Sequence, residues 1–517
     1  MKRNTASFLA LSLLFLNLAP SCAKPDDVRT LTIYNWQDYI FEGDDETAST
    51  IDQFKEYYQN KYNEEINVEY YTFETNENML NVLKTGKSHY DLVCPSDYTI
   101  QKMIKEDMLE PLNKENIPNY YKYASPYIKD IFDKNIVTIE EGDNKNLKAA
   151  WSDYAIPFFW GTMGFMYNPE EVKHEDVSSW SILWNEEYAK QSTLKDSVRD
   201  TYCAGVLYSY SDVKNPLVGA SLNELAESYA NGTISAEEYQ SSVQKIMNDI
   251  SDDTLALVKE NLKVAKDNVY GFEVDSGKAD IVTGKINVNF CWSCDAVYAM
   301  DCAEEESDTY LNYVIPKEGS NVWFDGWVMP KGADTELAEA FLNFISTPHI
   351  AALNMNEVGY TNSIAGEDIY TMTKQWYGSE KVYDEDGNVI VSQAEITAMI
   401  DNEEIYEYDI SYFFGETVSE KAVVYTEELN RQLSAQFPTL QEITRCAVME
   451  DFGDKNTDVL NMWSQVKANP VPLWAYAFIV VILLVVGVYI FIKIMEKKIR
   501  ISRYKAMNSK KNKPLSA

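Results

Sequence analysis

Cysteine pairs and histidines carry much of the redox, nucleophilic and metal chemistry of proteins, so their spacing is the first guide to an activity. Cys291 and Cys294 have the spacing of a thiol-redox motif, but they end the apolar run 286–290, which predicts a strand rather than the strand-to-helix turn of such a site. The chain has only three histidines, and none fits a zinc-hydrolase motif or accompanies a serine nucleophile elbow. These patterns argue against an enzyme.

Nucleotide and nucleic-acid binding also lack support in the sequence. Gly86-Lys87-Ser88 is similar to the end of a phosphate-binding loop, but Asn81 stands where the first glycine is required. The chain carries 45 Lys+Arg against 81 Asp+Glu, a net charge of −36. So acidic a chain repels phosphate backbones and attracts polycations at low salt. We therefore expect no nucleic-acid partner, no cofactor and no bound metal.

The N-terminus is typical of an exported protein. Two basic residues precede the apolar stretch 8–18, which has the length of a signal-peptide h-region and is too short to span a bilayer. Residues 1–22 are therefore predicted to be a signal peptide. Residues 18–22, LAPSC, are similar to the lipobox of bacterial lipoproteins, which would make Cys22 the lipidated residue. An ordinary signal-peptidase cut near Ala23 is the alternative and would leave no lipid.

The C-terminal part predicts a membrane anchor. Residues 471–492 contain no charged side chain and, at about 1.5 Å rise per helical residue, are long enough to cross a bilayer. Nine lysines and arginines against one glutamate follow in residues 493–517. The positive-inside rule then predicts a transmembrane helix over 471–492, a cytoplasmic tail over 493–517, and the preceding residues outside the cell membrane. A buried core helix is the alternative.

Between these ends, short apolar runs alternate with segments of helical periodicity. Strands are predicted near residues 31–36, 66–71, 91–94, 164–168, 286–291 and 326–330, and helices near 51–62, 76–83, 98–108 and 337–345. This alternation is typical of an α/β protein with a mostly parallel sheet that is covered on both faces. Asp-Gly at 386–387 predicts a hairpin turn, and the polar region 364–400 predicts a surface excursion.

Ten short segments resemble, in order along the chain, the spermidine/putrescine-binding proteins of bacterial ABC importers. The most specific are 34–39 (YNWQDY), 91–98 (DLVCPSDY), 156–162 (IPFFWGT) and 323–327 (WFDGW). The resemblance implies an α/β, two-lobed periplasmic-binding-protein fold with the ligand in an interlobe cleft, and no enzymatic activity. It places 30–158 and 325–361 in lobe 1, and 159–324 and 362–468 in lobe 2. The implied partners are an ABC permease and its ATPase subunit.

The same resemblance implies a polyamine ligand, either putrescine or spermidine. A polyamine is a thin aliphatic chain with ammonium groups, so its site needs separated carboxylates joined by aromatic walls. Ser197 stands where spermidine-preferring relatives have a second acid, which favours putrescine and leaves spermidine open. The ligand-binding residues implied by the matched segments are Trp36, Gln37, Asp38, Tyr39, Ser96, Tyr98, Asp200, Trp292, Asp295, Trp323, Asp325 and Tyr360.

Two other hypotheses remain open at this point. The same fold could serve a receptor for ferric ion or an anion, which would need paired tyrosines and basic residues in the cleft. The scaffold could also be a membrane-anchored surface adhesin. Asp325 and the tryptophans argue against the first, and the sequence does not test the second.

Overall fold

The computed structural model describes residues 28–415, 421–468 and 473–511. The predicted signal peptide 1–22, with the lipidation at Cys22, lies outside the described residues. The chain forms two compact units, which are divided between Leu460 and Asn461.

The strands and helices follow the predicted alternation. The strands are β1 (Thr30–Trp36), β2 (Asn67–Phe73), β3 (Leu92–Val93), β4 (Leu109–Glu110), β5 (Ile136–Thr138), β6 (Lys148–Ala150), β7 (Ala155–Tyr167), β8 (Thr193–Lys195), β9 (Gly271–Glu273), β10 (Val288–Trp292), β11 (Asn312–Val314), β12 (Ser320–Pro330), β13 (Thr361–Asn362), β14 (Ile405–Tyr408), β15 (Ala422–Tyr425) and β16 (Cys446–Ala447). The helices of the first half are α1 (Thr50–Tyr62), α2 (Asn76–Thr85), α3 (Asp97–Lys105), α4 (Pro118–Tyr123), α5 (Pro126–Lys134), α6 (His174–Val177), α7 (Val198–Ser209), α8 (Leu222–Ala230), α9 (Ala236–Met247) and α10 (Asp252–Asn268). The helices of the second half are α11 (Ser276–Val282), α12 (Ser293–Ser307), α13 (Thr335–Ile345), α14 (Pro348–Val358), α15 (Glu367–Tyr377), α16 (Gln393–Asp401), α17 (Ser411–Phe414), α18 (Gln432–Gln436), α19 (Leu440–Thr444), α20 (Asn456–Lys467) and α21 (Leu473–Lys511).

The main sheet is mixed rather than mostly parallel, so that part of the prediction is wrong. Its order is β10-β7-β12-β3-β1-β2. Strand β1 pairs in parallel with β2 and β3, as a strand–helix–strand repeat requires, whereas β12 is antiparallel to β3 and β7, and β7 is antiparallel to β10. Strand β7, which is buried along all of its 13 residues, pairs antiparallel with β10, β11, β12 and β13, and these pairings make the sheet mixed.

Two long strands connect the regions predicted to be separate lobes. The first half of β7 pairs with β12 beside β3, and its second half pairs with β10 and β11. The segment after residue 362 contacts elements from both regions, because α17 packs on α5 while β16 pairs with the start of β12. The division into 30–158 with 325–361 and 159–324 with 362–468 stays a prediction.

The predicted hairpin is present, and the region around it is more ordered than a surface excursion. The amide of Asp384 donates to the carbonyl of Asn388 at 3.0 Å, which closes the Asp-Gly turn. Helix α15 lies within this region and buries Ile369 completely, and Val382 is also fully buried. Polar composition concealed these contacts because the buried residues are few and widely spaced.

The C-terminal unit contains the long helix α21, which includes most of the predicted membrane anchor. Residues 471 and 472 lie outside the described residues, and so do the side chains of 473–477 and 479. Within the part of the chain that the structure describes, none of the helices meets the length and apolarity needed to span a membrane. The described residues therefore give the predicted anchor no support.

Candidate binding cleft

Two strand ends, two helix starts and the interior of one long strand meet at a cavity of about 430 Å³ in the N-terminal unit. Strand β1 ends there at Trp36, β10 ends at Trp292, and β12 contributes Trp323 and Asp325. Ser96 precedes α3, and Asp200 lies in the first turn of α7. Ends of strands are where α/β proteins place ligands, and this volume is in the range of small-molecule sites, about 300–1,000 Å³.

Ten of the twelve predicted residues line this cavity. They are Trp36, Gln37, Tyr39, Ser96, Tyr98, Asp200, Trp292, Trp323, Asp325 and Tyr360. The structure does not place the other two at the cavity. Asp38 is exposed in the turn after β1, where its backbone has a left-handed conformation with a φ of 53°. Asp295 is buried, and its carboxylate is ion-paired with Lys278 at 3.1 Å and with Lys195 at 3.6 Å.

Asp325 and Asp200 are the two buried carboxyl groups among these ten. The Asp325 side chain is 7 % exposed, and the Tyr39 hydroxyl donates to its Oδ2 at 2.6 Å. Burial raises the pKa of Asp325 to about 6, and hydrogen bonds from Tyr39 and Ser96 oppose that rise. The register of β12 against β7 shifts between Asp325 and Gly326, which marks a bulge at this position. The protein thus holds a titratable carboxyl group between two hydroxyls.

An amide and two hydroxyls continue this polar wall. The Asn76 side chain donates to the Ser96 hydroxyl at 3.1 Å and to the Tyr98 hydroxyl at 2.8 Å. Asp97 lies beside them but accepts the backbone amides of Tyr98 at 2.6 Å and Phe324 at 3.2 Å. The bond from Phe324 joins α3 to β12. Burial raises the pKa of Asp97 well above its usual range.

Aromatic rings form the remaining walls near Asp325. The Trp36 ring packs on Phe73 with centroids 4.5 Å apart, and Tyr360 meets Trp323 edge-on at 5.9 Å. Gly161 makes room for Trp323, because a Cβ at this position would lie 2.7 Å from the Trp323 ring. The rings therefore have fixed faces that can pack against methylene groups or a cation.

Asp200 and Trp292 also line the cavity. Asp200 is 7 % exposed, and burial raises its pKa, while hydrogen bonds from Ser197 and the Trp292 indole and the positive charge of Lys195 oppose the rise. The cavity therefore holds two buried carboxyl groups with separate partners: Asp325 with Tyr39 and Ser96, and Asp200 with Ser197 and Trp292.

Nine further lining residues are not among the twelve predicted ligand contacts, although the family resemblance already points to the position of Ser197. They are Glu74, Asn76, Asp97, Ser197, Arg199, Val274, Asp275, Asn321 and Met449. The first five lie within segments that carry the family resemblance, so that signal could have found them. The other four lie outside those segments and reach the cavity only through the folding of distant parts of the chain.

The local structure around Cys291 and Cys294 differs from the predicted one. Cys291 is in β10 and Cys294 is in the first turn of α12, so the pair does occupy a strand-to-helix turn, contrary to the sequence interpretation. Both are free thiols and are buried. Burial raises the pKa of Cys291 to about 12 and that of Cys294 well above its usual range. Because the thiolate is the reactive form, this environment suppresses thiol chemistry.

A cavity between regions joined by two long strands is typical of a solute-binding protein. The family model of bacterial extracellular solute-binding proteins matches residues 49–368. The chain belongs to this family, whose members bind solutes and are not enzymes.

Curated relatives cover most of the chain. The spermidine/putrescine-binding periplasmic protein of Escherichia coli K12 is 28 % identical over 362 residues, which is 70 % of this chain and 84 % of the relative. The putrescine-binding periplasmic protein SpuD of Pseudomonas aeruginosa is 29 % identical over 372 residues, covering 71 % and 86 %.

A solved structure shares the fold. The spermidine/putrescine ABC transporter substrate-binding protein PotD of Streptococcus pneumoniae has a TM-score of 0.52 at 23 % identity, covering 85 % of this chain and 98 % of that one. This similarity confirms the mixed α/β, two-lobed periplasmic-binding-protein fold.

Proposed function

We propose that this protein is an extracytoplasmic receptor that captures a polyamine in the cleft and delivers it to an ABC permease driven by a separate ATPase subunit. The observation that carries the proposal is the charge of the cavity. Apart from Asp97, whose carboxyl group accepts two backbone amides, its lining includes one basic residue, Arg199, and four acidic residues: Glu74, Asp200, Asp275 and Asp325. An acidic, ring-walled cavity of this volume suits a flexible aliphatic cation.

Arg199 keeps its charge, but its guanidinium is held by groups of the protein. It lies 3.9 Å from the Tyr98 ring centroid and 4.3 Å from that of Phe452, and it donates to the Glu450 carbonyl at 3.0 Å. A cation over a ring contributes about 0.5–2 kcal/mol, so a ligand anion would have to compete with these contacts. The cleft thus favours a cation over an anion.

The ferric-ion hypothesis is disfavoured by the same residues. Tyr39 donates to Asp325, and burial raises the pKa of Tyr39 and of Tyr360 well above the usual range. Phenolate ligands for iron would therefore be costly to form in this cavity. The names of the relatives, which are spermidine/putrescine-binding and putrescine-binding proteins, further support a polyamine.

Thermal unfolding tests this proposal against its alternatives. A ligand that binds only the folded state at 100 times its dissociation constant stabilises the protein by about 2.7 kcal/mol. Putrescine, cadaverine, spermidine and spermine are each added to the protein, with ferric citrate, sulfate and maltose as controls. We expect the midpoint to rise with at least one polyamine and with no control. A rise with ferric citrate or sulfate alone would overturn the proposal.

Binding is expected to weaken at acidic pH. Because the Asp325 pKa is raised to about 6, its carboxyl group is ionised at pH 7.5 and neutral at pH 5, whereas aliphatic amines stay charged throughout. Titrations between pH 7.5 and pH 5 should show an affinity loss that approaches about ten-fold per pH unit below 6. Circular dichroism at pH 5 checks that the protein is folded, and a flat profile between pH 7 and 5 would exclude Asp325 as the ammonium partner.

The membrane tether belongs to the proposal as well. The uncharged residues 471–492 and the basic residues 493–517 support an anchor that keeps the receptor beside its permease and raises its effective concentration there. Cys22 would provide a second anchor if it is lipidated.

Deleting residues 469–517 from a Cys22→Ala variant is expected to release the protein from membranes. Each single change should leave the protein in the membrane fraction if both anchors operate, because either one suffices. Fractionation and immunoblotting measure the distribution. Complete release by Cys22→Ala alone would contradict the C-terminal tether.

A further inference from the structure

Lys195 places a positive charge against one wall of the cleft. It is the last residue of β8 and is 2 % exposed. Its Nζ lies 4.2 Å from the Trp292 ring centroid, and Trp292 lines the cavity. The same ammonium donates to the Val274 carbonyl at 2.6 Å and lies 3.6 Å from carboxylate oxygens of Glu273 and Asp295. The Trp292 ring is therefore already in contact with one cation.

The carboxylates around Lys195 are balanced by the protein's own cations. Asp295 is also paired with Lys278 at 3.1 Å, so two lysines face Asp295 and Glu273. Glu273 accepts the backbone amide of Gly277 at 2.9 Å as well. These two acids thus have little negative charge to offer to a ligand.

The partners of Asp325 differ from those of Glu273 and Asp295, because they carry no charge. The Asp325 carboxylate accepts the Tyr39 hydroxyl and is hydrogen-bonded by Ser96, and these partners are neutral. A ligand ammonium can therefore supply the positive charge beside Asp325. Near Trp292 the lining acids are Asp200, on which the charges of Lys195 and Arg199 act, and the exposed Asp275, which pairs with Lys278 at 3.9 Å. A third ammonium near Trp292 would lie close to Lys195.

We propose that Lys195 is a specificity-determining residue that selects diamines over longer polyamines. This inference rests on the proposed function and adds which polyamines the cleft prefers. Lys195 neutralises Glu273 and Asp295, and its ammonium already occupies the cation-binding face of the Trp292 ring. An additional ligand ammonium near Trp292 would therefore be repelled by Lys195 and would lack a free carboxylate. Repulsion between Lys195 and a third ammonium would weaken spermidine binding without affecting a diamine. The cleft thereby prefers a short diamine such as putrescine.

The test compares putrescine and spermidine affinities by calorimetry on the full-length protein and on Lys195→Met. We expect the wild type to bind putrescine at least ten-fold more tightly than spermidine. In Lys195→Met the ratio should shift toward spermidine by ten-fold or more. Lys285→Met is the matched control, because Lys285 also lies over a ring, that of Tyr270, and pairs with Asp280, but none of the three lines the cavity.

The outcomes separate this inference from the function on which it rests. A wild type that binds spermidine as tightly as putrescine overturns the role of Lys195 and leaves the polyamine receptor standing. An unchanged ratio in Lys195→Met does the same. If neither amine binds the folded wild type, the proposed function fails first.

A second variant covers loss of folding. Removing Lys195 alone leaves two buried carboxylates short of a partner, which destabilises proteins more than removing a whole pair does. Lys195→Gln combined with Glu273→Gln removes one charge of each sign and keeps hydrogen-bonding groups at both positions. This double variant should show the same shift toward spermidine, and a wild-type ratio in it would overturn the inference.

Discussion

Replacing Asp325 with asparagine is expected to lower the affinity for a polyamine by about 100-fold or more. Asp325 is the buried carboxylate whose partners in the cleft are neutral hydroxyls, so a ligand ammonium has no substitute for its charge. Truncating one partner of a buried, hydrogen-bonded charge pair costs about 2–5 kcal/mol, or about 30-fold to 4,000-fold, and the expected loss lies within this range. Calorimetric titration of the variant with putrescine measures the loss.

The same substitution should not destabilise the empty protein. The Asp325 pKa is raised in the folded state, so ionisation of this group opposes folding as the pH rises through about 6. Asparagine removes that opposition at pH 7.5, and the free energy of unfolding should be equal to or above that of the wild type.

Asp249 provides the matched control for Asp325. It is also buried but lies away from the cavity, and hydrogen bonds from Ser251, Thr254 and Asn215 lower its pKa despite burial. Its ionised form therefore stabilises the fold above its own pKa. Asp249→Asn should lower the unfolding midpoint and leave polyamine affinity within about two-fold. Loss of binding in Asp249→Asn equal to that in Asp325→Asn would show that the effect is structural.

Replacing Trp36 with alanine is expected to weaken polyamine binding by about 30-fold or more. Trp36 lines the cleft beside Asp325 and is held against Phe73, so its face is in place before a ligand arrives. Trp36 is half-buried, and truncating a hot-spot residue, a class in which tryptophan is enriched, to alanine costs about 2 kcal/mol or more, which is about 30-fold.

Trp36→Phe keeps an aromatic face and should recover most of the lost affinity. Trp376→Ala is the matched control, because Trp376 is 36 % exposed and does not line the cleft. Intrinsic fluorescence and calorimetry on the three variants measure the effects. Equal losses in Trp36→Ala and Trp376→Ala would contradict a direct role for Trp36.

Local pattern predicted the elements of this fold better than their pairing. The strand near 31–36, the helix near 51–62 and the helix near 337–345 were predicted from short-range periodicity and match β1, α1 and α13 closely. Strand β7 carries no alternation because it is buried throughout, so its length and its antiparallel partners had no local signal. Partners far apart in sequence set these features, and no window of neighbouring residues contains them.

The candidate site shows the same limit. Family segments directed attention to ten residues that the structure brings to one cavity, among them Trp36 and Asp325. The same segments also indicated Asp295, which is paired with Lys195, a residue 100 positions earlier. Which carboxylates are left free for a ligand depends on such long-range ion pairs, and sequence spacing does not reveal them.

Calorimetric titration of the full-length, ligand-free protein with putrescine and spermidine tests the central claim most directly, with Asp325→Asn titrated in parallel. We expect saturable binding of one polyamine per protein molecule, tighter for putrescine, and a loss of about 100-fold in the variant. Absence of binding heat with both amines at two temperatures, on protein that unfolds cooperatively, would contradict it.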